Sequence, residues 1–314
     1  MTEAADIKGD AKAPQPAGAT AAAGLPAHTA FLLDTLPFDR RTRIMDIGAN
    51  PVNPAPYGAL AAAGGAEVHG FEPGKEAFAR LEARMSENEV HYPFAVGKGG
   101  EVTYHLCRNA SFSSLYAPDA GQIDTLGHWE NAMSVVDRVP MTALSLDEVE
   151  DMAKPDMLRM DTQGAELDIL QGGAQALSDA VVIMAKLRFF RLYEGEPMVG
   201  RVDQQLREMG FMLHRILPGS AVRLTSSRIG RLRPAMTRNQ MVDADAIYVR
   251  DLANTRGLSK PQLSHLALLA DSVFVSMDLV LRCLDLLVSR RAIKARDIDT
   301  YVDKLPANFR VAEA

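Results

Sequence analysis

The segment Arg43-Ile44-Met45-Asp46-Ile47-Gly48-Ala49-Asn50-Pro51 limits what this chain can fold into more than any other stretch. Ile44, Met45 and Ile47 form a short apolar run without polar alternation, the pattern of a strand buried on both faces of a parallel sheet. The run closes on Asp46, Gly48 and Asn50, with prolines after them. Glycine lets backbone pass close to a ligand because it has no Cβ and tolerates unusual dihedrals. In open α/β sheets ligands sit at the carboxyl ends of the strands. A second strand, Ala66 to Phe71, ends in Glu72. An acid roughly 20 residues beyond such a glycine is placed to take the two hydroxyls of a ribose. An ordinary strand-turn-helix unit with an exposed Glu72 would read the same way, so the pair is weak alone.

The ligand need not be a dinucleotide. Gly48 has no glycine partners in the residues just after it, so Gly-x-Gly-x-x-Gly and its pyrophosphate cradle are absent. A nucleoside without phosphates fits better, and S-adenosylmethionine is a common one. An NAD enzyme is disfavoured for the same reason.

The net charge of −6 argues against broad nucleic-acid binding, which needs a basic face. Two cysteines far apart, Cys107 and Cys283, point to a reducing compartment, read here as cytoplasmic. No apolar stretch reaches the ~18 residues of a membrane span. Residues 1–27 are rich in Ala and Pro, lack a basic segment leading into an apolar one, and read as a disordered tail rather than a signal peptide.

Residues 28–253 read as one α/β domain. A short helix over His28–Leu36 precedes the first strand, and helices follow over Tyr57–Ala63 and Lys75–Ser86. A third strand is expected near Val90–Val96, which makes a β-α-β-α-β start and a parallel sheet. Glu101–Cys107 and Val135–Met141 alternate and predict an antiparallel insertion beside the ligand edge. Asp147 is a plausible N-cap of a short helix. Strand four, Met157–Met160, ends in Asp161, and Gly164 opens the next helix. Strand five covers Val181–Leu187, and Phe211–Ile216 and Ala244–Val249 complete the sheet. Residues 254–314 form a helical segment. Its apolar stripe from Leu263 to Val288 predicts packing on the domain or across a homodimer, with Asp271, Asp278 and Asp285 on the opposite side.

Asp46-Ile47-Gly48-Ala49-Asn50, Gly70-Phe71-Glu72-Pro73, Asp161-Thr162-Gln163-Gly164-Ala165-Glu166 and Leu192-Tyr193-Glu194-Gly195-Glu196-Pro197 occur in this order. Together they resemble the FkbM family of S-adenosylmethionine-dependent methyltransferases, over roughly Thr42 to Leu252. The helical tail resembles that of a bacterial subgroup. The resemblance implies a class I, Rossmann-like methyltransferase fold, a mostly parallel seven-stranded sheet with an antiparallel last strand. It also implies O-methylation of sugars, glycolipids or polyketide-type products.

Carried over by position, Asp46, Gly48 and Asn50 would line the methionine end of S-adenosylmethionine, Glu72 would hold its ribose, and Val96 would flank the adenine. Asp161 and then Glu166 are the candidate bases, since an aliphatic hydroxyl is a poor nucleophile. Gln163 and Tyr193 would stand on the acceptor side. His91 and His105 could also accept a proton, but a lone strand histidine is more often structural. No metal is expected, because Lys186, Arg188 and Arg191 follow strand five where a magnesium site would need oxygens. Lys186 also stands where the family often has a Glu. Lys186 and Arg188, with a loop carrying Arg223 to Arg238, would suit an acidic acceptor. The competing reading is a non-catalytic scaffold that works through its C-terminal helices.

Overall fold

The computed structural model describes residues 24–49, 54–149 and 152–311; Asn50 and the Ala/Pro-rich start of the chain lie outside them. In chain order the elements begin with α1 (Ala27–Thr35), β1 (Thr42–Ile47), α2 (Gly58–Ala62), β2 (Ala66–Phe71), α3 (Lys75–Glu82) and β3 (Glu89–Tyr92). They continue with β4 (Ala95–Cys107), α4 (Ala120–Leu126), β5 (Val135–Ser145), β6 (Met157–Met160), α5 (Glu166–Gly172), β7 (Val182–Arg188) and α6 (Val199–Glu208). The last are β8 (Phe211–Ile216), β9 (Ser220–Val222), β10 (Gln240–Arg250), α7 (Lys260–Ser272), α8 (Met277–Ser289) and α9 (Ala295–Lys304).

The main sheet runs β3-β2-β1-β6-β7-β10-β8, with short β9 beside the start of β10. The pairs β1–β2, β2–β3, β1–β6 and β6–β7 are parallel. Only β10 runs against its neighbours β7 and β8. This is the class I methyltransferase arrangement, with its antiparallel last strand. The chain leaves β1 toward β2 and β3, then returns to place β6 on the other side of β1. The strand order reverses there, so the connections after β1 and β6 part and leave a crevice between them.

Alternation along the central strands splits the core in two. Ile44, Val68, Met157, Val182, Met184, Ile247 and Val249 face one side. Met45, Leu158, Met160, Ile183, Ala185 and Tyr248 face the other, against α5 and α6. The first side is covered by α1, α2 and the C-terminal helices, whose Leu263, Leu266, Leu269, Leu279, Val280 and Leu284 belong to the same buried cluster as the strands. The C-terminal segment is therefore one of the two helical layers on the sheet. Its start is fixed locally: the Ser259 hydroxyl accepts from the Gln262 N–H while the Gln262 side chain accepts from the Ser259 N–H.

Several sequence expectations shift. The expected third strand divides at Phe94 into β3 and the start of β4, which pairs with β5 as a separate antiparallel ribbon. That ribbon is the predicted insertion, extended at the end where the start of β4 pairs with the end of β5. Asp147 caps no helix of its own; its carboxylate accepts from the N–H groups of Gln175 and Ala176. The apolar stripe of the tail breaks near Val273, and α7 and α8 pack against each other. Asp271 does not lie on the solvated side with Asp278 and Asp285. It is buried, and it accepts hydrogen bonds from Thr29 Oγ1 and, at 2.6 Å, from the Tyr301 hydroxyl, with His28 Nδ1 at 2.7 Å. Helical period alone could not place it, because its partners come from α1 and α9.

This network makes two expectations. Asp271→Ala should cost about 3–5 kcal/mol in chemical denaturation, the range for removing one partner of a buried charged network, whereas exposed Asp285→Ala should stay within about 0.5 kcal/mol. Truncation after Asp251 should expose the strand residues of the first core face and drive aggregation, read by light scattering. A soluble truncated monomer of unchanged melting temperature would contradict the two-layer packing.

Candidate functional site

A cavity of about 440 Å³ opens at the reversal point, within the range of small-ligand pockets. It is built by the ends of β1, β2 and β6 and by the strand and turn residues from Phe94 to Leu115, with Tyr57, Leu81 of α3 and His91 of β3 completing the wall. Gly48 makes the crossing possible. It adopts φ +81°, and a Cβ there would stand 2.2 Å from the Asp161 carbonyl oxygen. The N–H groups of Gly48 and Ala49 both bond to the Phe71 carbonyl, so β1 and β2 end together.

Asp46 is buried and held on both sides: the Tyr57 hydroxyl donates to Oδ2 at 2.6 Å and Arg159 Nη1 to Oδ1 at 2.8 Å. Burial, together with the Asp46 carboxylate, pushes Tyr57 well above its ordinary range and keeps it a donor. Arg159 also reaches Asp161, with Nη2 3.5 Å from Oδ2. Burial opposes the charge on Arg159, but Asp46 and Asp161 more than restore it.

Glu72 stands at the end of β2 and is only 5% exposed. Among the described residues its carboxylate has a single hydrogen bond, from the Gly74 N–H to Oε1 at 2.7 Å. Burial pushes its carboxyl up to about 7, with the Gly74 N–H and Arg80 pulling the other way. The same cavity wall includes the apolar side chains of Leu81, Phe94, Ala95 and Val96. A buried acid with a spare oxygen beside an apolar slot suits a ribose and its base, so these residues fit a nucleoside cofactor.

Asp161 lies across the same cavity. Gln163 Nε2 donates to its Oδ1 at 2.9 Å, and Lys186 Nζ is 3.6 Å from that oxygen. Burial raises Asp161, while Lys186 and Arg159 restrain the rise. Gln163 has φ +58°, rare for a residue with a side chain. Three contacts hold it there: the bond to Asp161, one from Arg188 Nη2 to its Oε1 at 3.0 Å, and one from Ser114 Oγ to its carbonyl at 2.8 Å.

The other residues expected at the site are placed differently. Glu166 is buried; its oxygens accept from the Thr162 N–H and hydroxyl and from the Gly164 N–H. It anchors the turn that carries Asp161 and is not among the cavity walls. Arg188 is buried against Glu196, Asp243 and Gln163. Lys186 lies between Asp161 and Asp245. The register pairs Lys186 with Asp245 and Arg188 with Asp243 across β7 and β10. Tyr193 is fully buried and donates its hydroxyl to the Phe112 carbonyl. Lys186, Arg188 and Tyr193 also lie outside the cavity walls. His91 does line the cavity, and its buried Nδ1 has no hydrogen-bond partner among the described residues. His105 does not.

Sequence reading missed Tyr57, Arg159, Tyr104 and Ser114, all on the cavity wall. A charged Arg159 inside the apolar run Met157 to Met160 was a usable signal. The pairs Lys186/Arg188 and Asp243/Asp245, each two apart on what become neighbouring antiparallel strands, were another. Tyr57 and Ser114 carried none.

Solved structures that match part of this chain include the magnesium protoporphyrin IX methyltransferase of Synechocystis PCC 6803 with bound SAM. It is 12% identical over 71% of this chain and 76% of its own, with a TM-score of 0.34. An S-adenosylmethionine-dependent methyltransferase from Mesorhizobium loti is 12% identical over 70% and 95%, with a TM-score of 0.35. At such scores no role passes from them to this chain. No curated protein matches it. The methyltransferase FkbM domain, in contrast, matches residues 46–213, which is more than half of the chain and runs from the last residues of β1 through β2, β6 and β7 with all the cavity's acids. The chain therefore belongs to the FkbM family of methyltransferases.

Proposed function

We propose that this methyltransferase uses S-adenosylmethionine to methylate a hydroxyl oxygen of a sugar, glycolipid or polyketide-type acceptor. The observation that carries the reading is the placing of two differently dressed acids on one cavity, Glu72 on the apolar side and Asp161 on the polar side. S-adenosylmethionine, when bound, supplies an electrophilic methyl group. Glu72, as a carboxylate, would accept from the ribose hydroxyls, and Val96 and Phe94 would flank the base. Asp46 serves indirectly, since both its oxygens are taken by Tyr57 and Arg159.

Asp161 is the group that takes the acceptor's proton. Its raised affinity for protons improves it as a base. Gln163, Arg159 and Lys186 hold its carboxylate in place, and the charges of Lys186 and Arg159 oppose the rise that burial causes. Glu166 supports this arrangement from beneath. Alignment of reacting atoms supplies most of the acceleration in such a displacement, roughly 7–11 kcal/mol when good. The cations Lys186 and Arg188 are occupied by carboxylates, so they give no support to an acidic acceptor. Nothing favours a scaffold acting through the C-terminal helices either, because their apolar faces are spent on the sheet.

Isothermal titration should show S-adenosylmethionine binding that weakens as pH falls below about 7, by about tenfold per unit, as Glu72 protonates. Glu72→Gln should bind more weakly by about 1.5–3 kcal/mol at pH 8 and lose that dependence. The same carboxyl acts on folding with the opposite sign. Its folded value of about 7 exceeds the ordinary 4.5, so its contribution to stability is full below pH 4.5 and is lost as pH rises through 7. Asp161→Asn should lower turnover by about 10²–10⁴-fold and leave cofactor affinity within a few-fold. Wild-type turnover in that variant would assign the proton to another group.

A further inference from the structure

Between Ala221 and Val242 the chain carries five arginines, Arg223, Arg228, Arg231, Arg233 and Arg238, and no aspartate or glutamate. In a chain of net charge −6 this is a local reversal of sign. Arg228, Arg231, Arg233 and Arg238 are exposed. Among the described residues, none of the five joins an ion pair. Large apolar side chains alternate with them in the open: Leu224, Leu232, Met236 and Met241, with Met236 75% exposed. Two single turns, Ile229–Arg231 and Pro234–Met236, present the series.

The loop has a fixed base. Val222 of β9 pairs with Gln240 of β10, so the chain leaves and returns at one point. The Thr225 N–H bonds to the Thr125 carbonyl of α4. Because β10 runs against β7 with Asp243 beside Arg188, the loop extends past the carboxyl ends of the parallel strands, the edge that holds the cavity.

We propose that this loop docks the protein on an anionic phospholipid bilayer, with the arginines on headgroup phosphates and Leu232 and Met236 in the interface. Unpaired guanidinium groups match lipid phosphates in charge and geometry. Apolar residues interleaved with cations are the composition of segments that lie in a membrane surface. A nucleic acid would satisfy the arginines but not the apolar tips, and the acidic remainder of the chain would repel it. Docking at this edge would turn the cavity toward the bilayer. That last step rests on the methyl-transfer reading and makes the acceptor a lipid-anchored hydroxyl; the docking itself does not rest on it.

The test is co-sedimentation of the full chain with phosphatidylcholine vesicles, with and without phosphatidylglycerol. Binding should require phosphatidylglycerol and fall at high salt. Each exposed arginine near such a surface contributes about fivefold in partitioning, so R228Q/R231Q/R233Q should partition about 10²-fold less. L232S/M236S should also bind less. Unchanged melting temperature and unchanged calorimetric affinity for S-adenosylmethionine would show that both variants are folded. Equal partitioning of the arginine variant and the wild type would overturn the proposal. So would binding to neutral vesicles alike, binding of soluble glycerol phosphate without vesicle binding, or RNA bound in preference to vesicles. If the methyltransferase reading failed instead, S-adenosylmethionine would not bind in calorimetry while vesicle binding persisted.

Discussion

The close approach of Gly48 to the Asp161 carbonyl holds the carboxyl edge of the sheet together. A Cβ at Gly48 would stand 2.2 Å from that oxygen, so any side chain would push β1 and β6 apart where their connections diverge. The positive φ of Gly48 turns the chain away from β6 and opens the crevice on one side. Arg159 then spans the gap, touching Asp46 at the end of β1 and Asp161 beyond the end of β6. Burying such charges carries a large desolvation cost, offset only when geometry and hydrogen bonds are good. Tyr57 on Asp46 and Gln163 on Asp161 supply those bonds.

Around this clasp the two halves of the cavity are tuned in opposite ways. Glu72 has one backbone donor and an apolar wall, so burial dominates and its proton affinity rises to about 7. Asp161 is also raised by burial, but Lys186 and Arg159 draw it back. Gln163 links this half to the buried Arg188–Glu196–Asp243 group behind it. Its left-handed backbone costs of order 1–3 kcal/mol, the usual range for such a residue, and persists because both ends of its amide and its carbonyl are held. The strain places one side chain where it can position a base.

The C-terminal helices answer a different constraint. A parallel sheet must be covered on both faces, because its strands are apolar on both. The face with Ile44, Val68, Met184 and Ile247 has only the short α1 and α2 from the first part of the chain, and α7 to α9 complete it. Asp271 fixes their register by taking donors from α1 and α9 at once. The loop between β9 and β10, at the other edge, is free of such duties and keeps its charge and apolar surface in solvent.

Much of this was legible in the sequence, because it depends on local order. Continuous apolar runs ending in Asp46-Ile47-Gly48, Phe71-Glu72 and Met160-Asp161 determined a parallel sheet with three acid-bearing strand ends, and helical period determined an amphipathic helical C-terminal segment, whose place on the sheet came only from packing. The four motifs in register pointed to the methyltransferase family. The tertiary structure decided which of those acids face a ligand. Glu166 and Asp161 lie five residues apart, yet one anchors a turn and the other lines the cavity, because Gln163 and Gly164 reverse the backbone between them. It also decided that Lys186 and Arg188 are answered by Asp245 and Asp243, a pairing set by the register of β7 against β10 across more than fifty residues of intervening chain. Local pattern reports the period and end of each element; which side chains meet is fixed by register and packing between elements far apart in the chain.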